Sequence, residues 1–191
     1  MKQAKMLALT ISLIIMCGCS KSAKYEGKYT DWRTGWLALT EHQIEAAVTS
    51  SDDEKICEYT LLFTQDATDE TVEVLAPELI ASIKAHIGED GVKLDFDGAM
   101  LETGSSLPEN LSPLMALPFF MDIITEGHLE NAWHETSDGT ELVVSELEMP
   151  DGTIMTLWQR SSDMTPVHAD IRSGDKVEIE IDIIKFDQIE V

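Results

Sequence analysis

The stretch SPLMALPFFMDIITEG, residues 112–127, is the one long apolar run in the chain after residue 18. Its apolar side chains would surround the axis of a helix, and a helix that is apolar all round has to be buried. Ser112 is predicted to cap this helix, and Gly127 to supply a left-handed residue after its last turn. Pro118 predicts a kink, or two short helices that meet there, because proline removes a backbone hydrogen bond. The rest of the fold is predicted to cover this segment.

The segments on both sides of the apolar run alternate between apolar and polar residues, as half-buried strands do. The clearest case is residues 177–183, where valine and isoleucine alternate with acidic residues. One face of that strand therefore meets the core and the other meets water. Turn sequences separate the strands, and Asp97-Gly98 is a two-residue hairpin turn. The pattern predicts a mainly β fold of about eleven short antiparallel strands with one helical interruption.

Two segments are harder to interpret. The apolar positions of residues 79–87 suit a helix between a proline and a glycine, and they also suit a strand, so periodicity alone leaves both open. Residues 20–35 are polar, mixed in charge and without periodicity, which predicts a short linker. Trp32 and Trp36 are predicted to dock this linker onto the body. The alternative is that they rest at a membrane interface.

The first 18 residues have the pattern of a secretion signal. Two lysines precede an apolar core over residues 6–16, which is shorter than the roughly 20 residues that span a bilayer. The core leads to Gly18-Cys19, an ending that resembles a bacterial lipobox and predicts a covalent lipid on Cys19; the alternative is an ordinary cleaved signal. The lipid would anchor the protein at the extracytoplasmic face of the bacterial membrane. The predicted division is a signal peptide (1–18), a lipidated tether (19–35) and one folded domain (36–191).

Charge and cysteine content limit the partners. The formal net charge is −23, which excludes nucleic acid as a partner and favours a basic protein surface. After cleavage the chain keeps Cys19 and Cys57, and lipidation of the first leaves the second without a disulfide partner. Cys57 lies in an alternating segment and is predicted to be buried and inert.

No catalytic or metal-binding pattern stands out in the sequence. It contains no G-x-S-x-G, no H-E-x-x-H, no phosphate-cradling glycine loop and no C-x-x-C pair. Its five histidines are scattered over the predicted strands, and only His128 and His134 share a strand and a parity. We therefore expect no catalytic residue, no metal site, no enzymatic activity and no cofactor other than the lipid on Cys19.

Several motifs resemble those of the LolA-like lipoprotein superfamily. They are the lipobox, the block from Ala76-Pro77-Glu78 to Gly104, the triplet Leu111-Ser112-Pro113, and the segment from Leu157-Trp158 to Ala169. Within that superfamily the chain looks most similar to the GerS-like lipoproteins of spore-forming, Gram-positive bacteria. The resemblance implies an eleven-stranded sheet that curls into an open half-barrel, with helices closing its concave side. It also favours a strand over residues 79–87.

Two functions follow from these expectations. The first is a membrane-anchored binding module that holds a lipid or an acylated ligand in the apolar half-barrel. The predicted lining residues are Leu114, Leu117, Phe120, Met121, Ile124, Trp133 and Trp158. The same side chains would serve equally well as a plug that fills the concavity. The second function, implied by the resemblance, is an interaction protein without a ligand cavity that regulates a cell-envelope enzyme in spore formation or germination.

Overall fold

The computed structural model describes residues 22–52, 55–88, 91–102, 113–174 and 176–188. Within these residues the fold is one antiparallel sheet of eleven strands with two α-helices, and neither helix is long and apolar enough to cross a membrane. The helices are α1 (Ser22–Leu37) and α2 (Ala116–Glu126). The strands are β1 (His42–Asp52), β2 (Lys55–Gln65), β3 (Glu70–Ala76), β4 (Lys84–Gly88), β5 (Gly91–Phe96), β6 (Ala99–Glu102), β7 (His128–Ser137), β8 (Thr140–Glu148), β9 (Thr153–Arg160), β10 (Pro166–Ser173) and β11 (Lys176–Gln188). The predicted signal peptide, Cys19 and the predicted cap Ser112 lie outside the described residues.

Most strands of the sheet pair with their neighbours in sequence. The order is β6-β5-β4-β3-β2-β1-β11-β10-β9-β8-β7, so the first strand pairs with the last and joins the two halves. Strands β6 and β7 form the two edges and do not pair with each other. The predicted mainly β, antiparallel and open architecture is therefore confirmed.

The sheet curves around α2. This helix packs against both β2 and β8, which lie five strands apart in the sheet. In a flat sheet with about 4.8 Å between strands, they would be about 24 Å apart. A helix with its side chains is only about 10–12 Å across. One helix can reach both strands only because the sheet wraps around it, as a half-barrel does.

The core lies between α2 and the face of the sheet that wraps it, which we call the inner face. The opposite side of the sheet is the outer face. Inner-face residues alternate along the strands: Val48 and Ile181 form a directly paired example, and each is at most 1% exposed. Buried side chains from both halves of the sheet and from both helices form one continuous cluster on this face. In the central strands, the predicted alternation therefore identifies which side chains face the core and which face solvent.

The start of α2 explains how the chain accommodates Pro118. A 3₁₀ turn over Pro113–Met115 leads into α2, so Pro118 lies in the first turn of the α-helix, where a missing N–H costs little. Two short helices therefore meet as predicted, but they meet at Met115–Ala116 and not at Pro118. The expectation that the helix is buried all round is wrong, because Asp122, Thr125 and Glu126 are exposed. Polar residues at these positions give α2 one side that faces away from the core.

Gly127 ends α2 in a different way from the one predicted. Its backbone has φ −60° and ψ 143°, which is extended rather than left-handed. A Cβ at this position would lie 2.5 Å from the carbonyl oxygen of Ile123 and 3.3 Å from the Cβ of Leu147. Glycine is required here because the backbone and a β8 side chain approach closely, and not because of an unusual backbone angle.

The prediction of an aperiodic linker over residues 20–35 is wrong for its described part, which forms α1. Tyr29 and Trp36 of this helix are each 1% exposed. The ring of Trp36 stacks on that of Phe186 in β11, with 4.3 Å between centroids, so the predicted docking by Trp36 is confirmed. A helical signal is present in the sequence, since aromatic residues recur every three or four positions: Tyr25, Tyr29, Trp32 and Trp36. Charged residues and two glycines between them obscure it.

Residues 79–87 are only partly a strand. A 3₁₀ turn covers Glu78–Ile80, and β4 begins at Lys84. Between them Ser82 has a φ of 77°, a left-handed conformation that an extended strand does not contain. The predicted strand is therefore confirmed from Lys84 onwards and wrong before it.

Candidate binding site

Five of the seven predicted lining residues meet on the inner face. Leu117, Phe120 and Ile124 are fully buried and Met121 is 4% exposed, all within the core cluster. Leu114 is half-buried in the preceding 3₁₀ turn and packs against the same cluster. These side chains occupy the middle of the half-barrel, between the two halves of the sheet.

The other two predicted lining residues, Trp133 and Trp158, lie on the outer face. In the strand register Trp133 is paired with Val144, and Val144 with Trp158. The preceding residue, Leu157, is fully buried in the inner-face cluster, so Trp158 points the opposite way. Residues 154–158 are almost continuously apolar, and such a run does not reveal which residues face the core. The structure therefore separates the two tryptophans from the other five residues.

The described residues leave the inner face uncovered at the end formed by β4, β5 and β6. Ala85, Leu94 and Leu101 follow one another across these three strands in register. Ala85 is fully buried and Leu94 is half-buried, while Leu101 is 65% exposed. Phe96, two residues along β5 on the same face, is 48% exposed. An apolar surface therefore continues from the core into solvent at this end of the sheet.

The opposite end of the inner face is covered by α1, which packs against β7 and β8. Arg33 holds α1 to the end of α2, because its guanidinium donates hydrogen bonds to the carbonyl oxygens of Thr125 at 2.6 Å and Gly127 at 2.9 Å. Burial under this helix raises the pKa of the Tyr29 phenol, and the charge of Arg33 offsets only part of the effect. Burial also lowers the pKa of His42, which favours the neutral form of its ring where it packs on Trp36.

A row of side chains on the outer face combines aromatic and acidic groups. We call Trp133, Val144, Trp158 and His168, which are successive cross-strand neighbours on β7–β10, the outer aromatic row. The two carboxylate oxygens of Glu135 accept one hydrogen bond each, from the indole N–H of Trp133 at 2.7 Å and from that of Trp158 at 3.1 Å. The ring nitrogens of His168 contact carboxylate oxygens of Asp170 at 2.9 Å and Asp182 at 2.7 Å. No pattern in the sequence pointed to this arrangement, since its members come from five strands.

A groove of about 510 Å³ follows the free edge of β7. Ser22, Lys24 and Tyr25 of α1 form one wall, and residues 131–134 of β7 form the other. Tyr25 stacks on the ring of His134 with 5.7 Å between centroids, and the ammonium group of Lys24 lies over the Tyr25 ring. The groove therefore lies at the start of α1, three residues after Cys19 in the sequence.

The structure also places the remaining reactive side chains. Among the described residues, no group of three or more histidine, cysteine or acidic side chains could hold a metal ion. His128 and His134 lie on opposite faces, contrary to the parity prediction, because a β-bulge between Leu129 and Asn131 shifts the alternation of β7. Cys57 is a free thiol that is half-buried rather than buried, since it lies close to the β1–β2 hairpin turn.

Comparisons with known proteins support the fold. No protein-family model matches the chain, and no curated protein matches it. An uncharacterised conserved protein from Thermus thermophilus is 12% identical, with 87% of this chain and 88% of that chain covered and a TM-score of 0.50. A DUF1329 family protein from Desulfovibrio piger is 13% identical, with 86% and 91% covered and a TM-score of 0.50. A LolA superfamily protein from Nitrosomonas europaea is 12% identical, with 80% and 88% covered and a TM-score of 0.40.

At these identities the similarity to solved structures shows the fold alone. The open eleven-stranded sheet with helices on its inner face is the architecture that the LolA-like resemblance implied. The finer resemblance to GerS-like lipoproteins stays a prediction, because the matches are too distant in sequence to separate members of this group.

Proposed function

We propose that the protein is a non-catalytic binding lipoprotein that holds the apolar part of a lipid or an acylated ligand on the uncovered end of its inner face. The observation that supports this is the exposure of Phe96 and Leu101 next to the fully buried Ala85. Large apolar side chains exposed together on a concave surface are typical of sites for apolar ligands. The 3₁₀ turn that carries Leu114 packs against β1, β2 and β3 and so borders the same end of the face.

Binding at this end is compatible with both predicted roles of the apolar side chains, which are to line a ligand site and to plug the half-barrel. The fully buried Leu117, Phe120 and Ile124 act as the plug in the middle of the half-barrel. The ligand then lies between the plug and the free edge at β6, and its polar group faces solvent. Of the predicted lining residues, Leu114 contacts the ligand, whereas Trp133 and Trp158 do not.

A charge placed in this apolar surface tests the proposal. Leu101→Glu should weaken the binding of fluorescently labelled palmitic acid by about tenfold or more, because a carboxylate is costly to bury against an acyl chain. Fluorescence titration of the purified protein measures the affinity. The matched control is Met100→Glu: Met100 is 56% exposed on the adjacent position of β6, but it faces the outer side of the sheet. Its affinity should equal that of the wild type.

Equal loss in both variants, or no loss in either, would show that the acyl chain does not lie on the inner face of β6. Native mass spectrometry of the purified protein gives an independent measure. Finding no co-purified lipid, and none after incubation with palmitic acid, would remove the support for a ligand site.

The second part of the proposal is the location. A lipid on Cys19 would hold the protein at the extracytoplasmic face of the bacterial membrane, since acyl chains bind a bilayer with about 0.8 kcal/mol per buried CH₂. Cys19→Ala should therefore move the protein from the membrane fraction to the soluble fraction with its circular dichroism spectrum unchanged. Cys57→Ala is the control, and it should stay with the membranes. A Cys19→Ala protein that still sediments with membranes would place the anchor elsewhere.

A second candidate function is favoured by the outer face. There the outer aromatic row lies among carboxylates. The protein would then be an interaction lipoprotein without catalytic activity that acts on a cell-envelope enzyme in spore formation or germination. A basic surface on that enzyme would complement the net charge of −23.

A further inference from the structure

We infer that the outer face of β7–β11 docks a basic segment of a partner protein on the outer aromatic row. Lysine or arginine side chains of that segment stack on the indoles of Trp133 and Trp158. They also pair with the carboxylates of Glu135, Asp170 and Asp182. The inference rests on the second candidate function. It names the surface that this function would use and the chemistry of the partner. It is independent of the acyl site, which lies on the other side of the sheet.

The two indoles flank Val144 on the outer face. Val144 lies between them in the strand register and is fully buried, although both helices pack on the inner face. Among the described residues, the side chains placed to cover Val144 are its neighbours across the strands, Trp133 and Trp158. Both are themselves half-buried. Because each indole is only half-buried, part of each ring is open to solvent.

Glu135 holds both rings in place. Because one carboxylate accepts both indole N–H groups, at 2.7 and 3.1 Å, neither ring needs a further partner at its edge. The π faces remain as the interaction surface, and their negative potential attracts cations. Rings that are already fixed lose little conformational entropy when a partner binds, which favours affinity.

The charge of this face favours a basic occupant. Among the described residues, no lysine or arginine forms an ion pair with Glu135, Asp170 or Asp182, and the two aspartates share a single histidine. Arg172, on the same face, is already paired with Glu146 at 2.8 Å. A basic segment would compensate these carboxylates, whereas anionic lipid and nucleic acid would be repelled.

The distance between the indoles indicates how the basic side chains are spaced. Trp133 and Trp158 lie on β7 and β9 with one strand between them, so they are about 10 Å apart. A segment in the polyproline II conformation carries every third side chain on the same side, at intervals of about 9 Å. Basic residues three positions apart would therefore reach both rings at once.

Fluorescence anisotropy with a labelled hexa-arginine peptide tests the inference on the purified protein. The double variant Trp133→Leu/Trp158→Leu should weaken binding by about tenfold or more at physiological salt. Leucine keeps an apolar cover over Val144, and circular dichroism checks that the fold is retained. Glu135→Gln should also weaken binding. Its matched control is Glu78→Gln, which removes the same charge from an exposed turn between β3 and β4 and should change the affinity less than about twofold.

Equal losses for Glu135→Gln and Glu78→Gln, or wild-type affinity of the double leucine variant, would mean that hexa-arginine binds through net charge alone and would overturn the inference. Loss of palmitic acid binding in the double leucine variant would also overturn it, since the row would then belong to the acyl site. Loss of hexa-arginine binding with palmitic acid binding unchanged supports it. A failure of the Leu101→Glu test would leave this measurement unaffected, so the two proposals fail separately.

Discussion

Replacing Phe120 with alanine is expected to lower the free energy of unfolding by about 3–5 kcal/mol, which would be the largest effect of any single substitution in α2. The ring is fully buried, and it lies in the cluster that connects the helix with both halves of the sheet. Its removal costs the transfer free energy of the ring and leaves a cavity. The cavity cannot collapse easily, because hydrogen-bonded strands on both sides of α2 hold the walls apart.

Urea unfolding followed by circular dichroism measures this loss. Phe119→Ala is the matched control, because it removes the same side chain from the neighbouring position, where the ring is only half-buried. We expect that variant to lose less than half as much, or roughly 1–2 kcal/mol. Equal losses at the two positions would contradict the placement of α2, since Phe120 would not then be the residue that plugs the half-barrel.

Replacing Trp36 with alanine is expected to cost a similar amount, about 3–5 kcal/mol. The indole is 1% exposed and packs between the rings of His42, at 4.1 Å, and Phe186, at 4.3 Å between centroids. These partners lie at the start of β1 and near the end of β11, the two strands that join the halves of the sheet. Losing the indole should therefore loosen α1 and the centre of the sheet together.

The control for this variant is Leu37→Ala, because the neighbouring Leu37 is 43% exposed and should contribute well under 1 kcal/mol. Limited proteolysis adds a second measurement, since a loosened α1 becomes cleavable before the rest of the fold unfolds. If Trp36→Ala unfolds at the wild-type urea concentration, α1 is a tether that rests on the domain without stabilising it.

The position of α1 also affects how the proposed anchor would orient the body. Ser22, the first residue of α1, lines the groove at the free edge of β7. Only two residues separate it from Cys19, and such a connection spans about 10 Å at most. A lipid on Cys19 would therefore hold the β7 edge close to the bilayer. The uncovered end at β6 belongs to the opposite edge of the open sheet.

Much of the strand pattern could be predicted because it depends on neighbouring residues alone. Side chains alternate with a period of two in any strand, so the alternation of Ile179, Ile181 and Ile183 shows which residues face the core without any knowledge of partners. Hairpin turns are equally local. Asp97-Gly98 has positive φ at both residues, 52° and 80°, and few residue pairs other than Asn-Gly or Asp-Gly adopt this conformation readily.

The candidate site could be predicted only in part. The burial of the α2 residues could be predicted because a long apolar run has to be covered, whichever segments cover it. Trp133 and Trp158 were assigned to the wrong face, because the apolar run of β9 hides the alternation. In β7, the bulge beside Glu130 shifts the parity of every residue after it. Register and bulges are set by hydrogen bonds between separate strands, so a local pattern does not contain them.

Local patterns of residues predict that most of the chain forms short antiparallel strands and that residues 113–126 are largely buried, and the composition shows the large negative charge. Packing between distant segments places α1 in the core, makes glycine necessary at position 127, and leaves one end of the inner face uncovered by the described residues. The physical reason is the range of the interactions. Strand alternation and turn formation depend on adjacent residues. Which parts of the inner face are covered depends on which distant segments the curved sheet brings together.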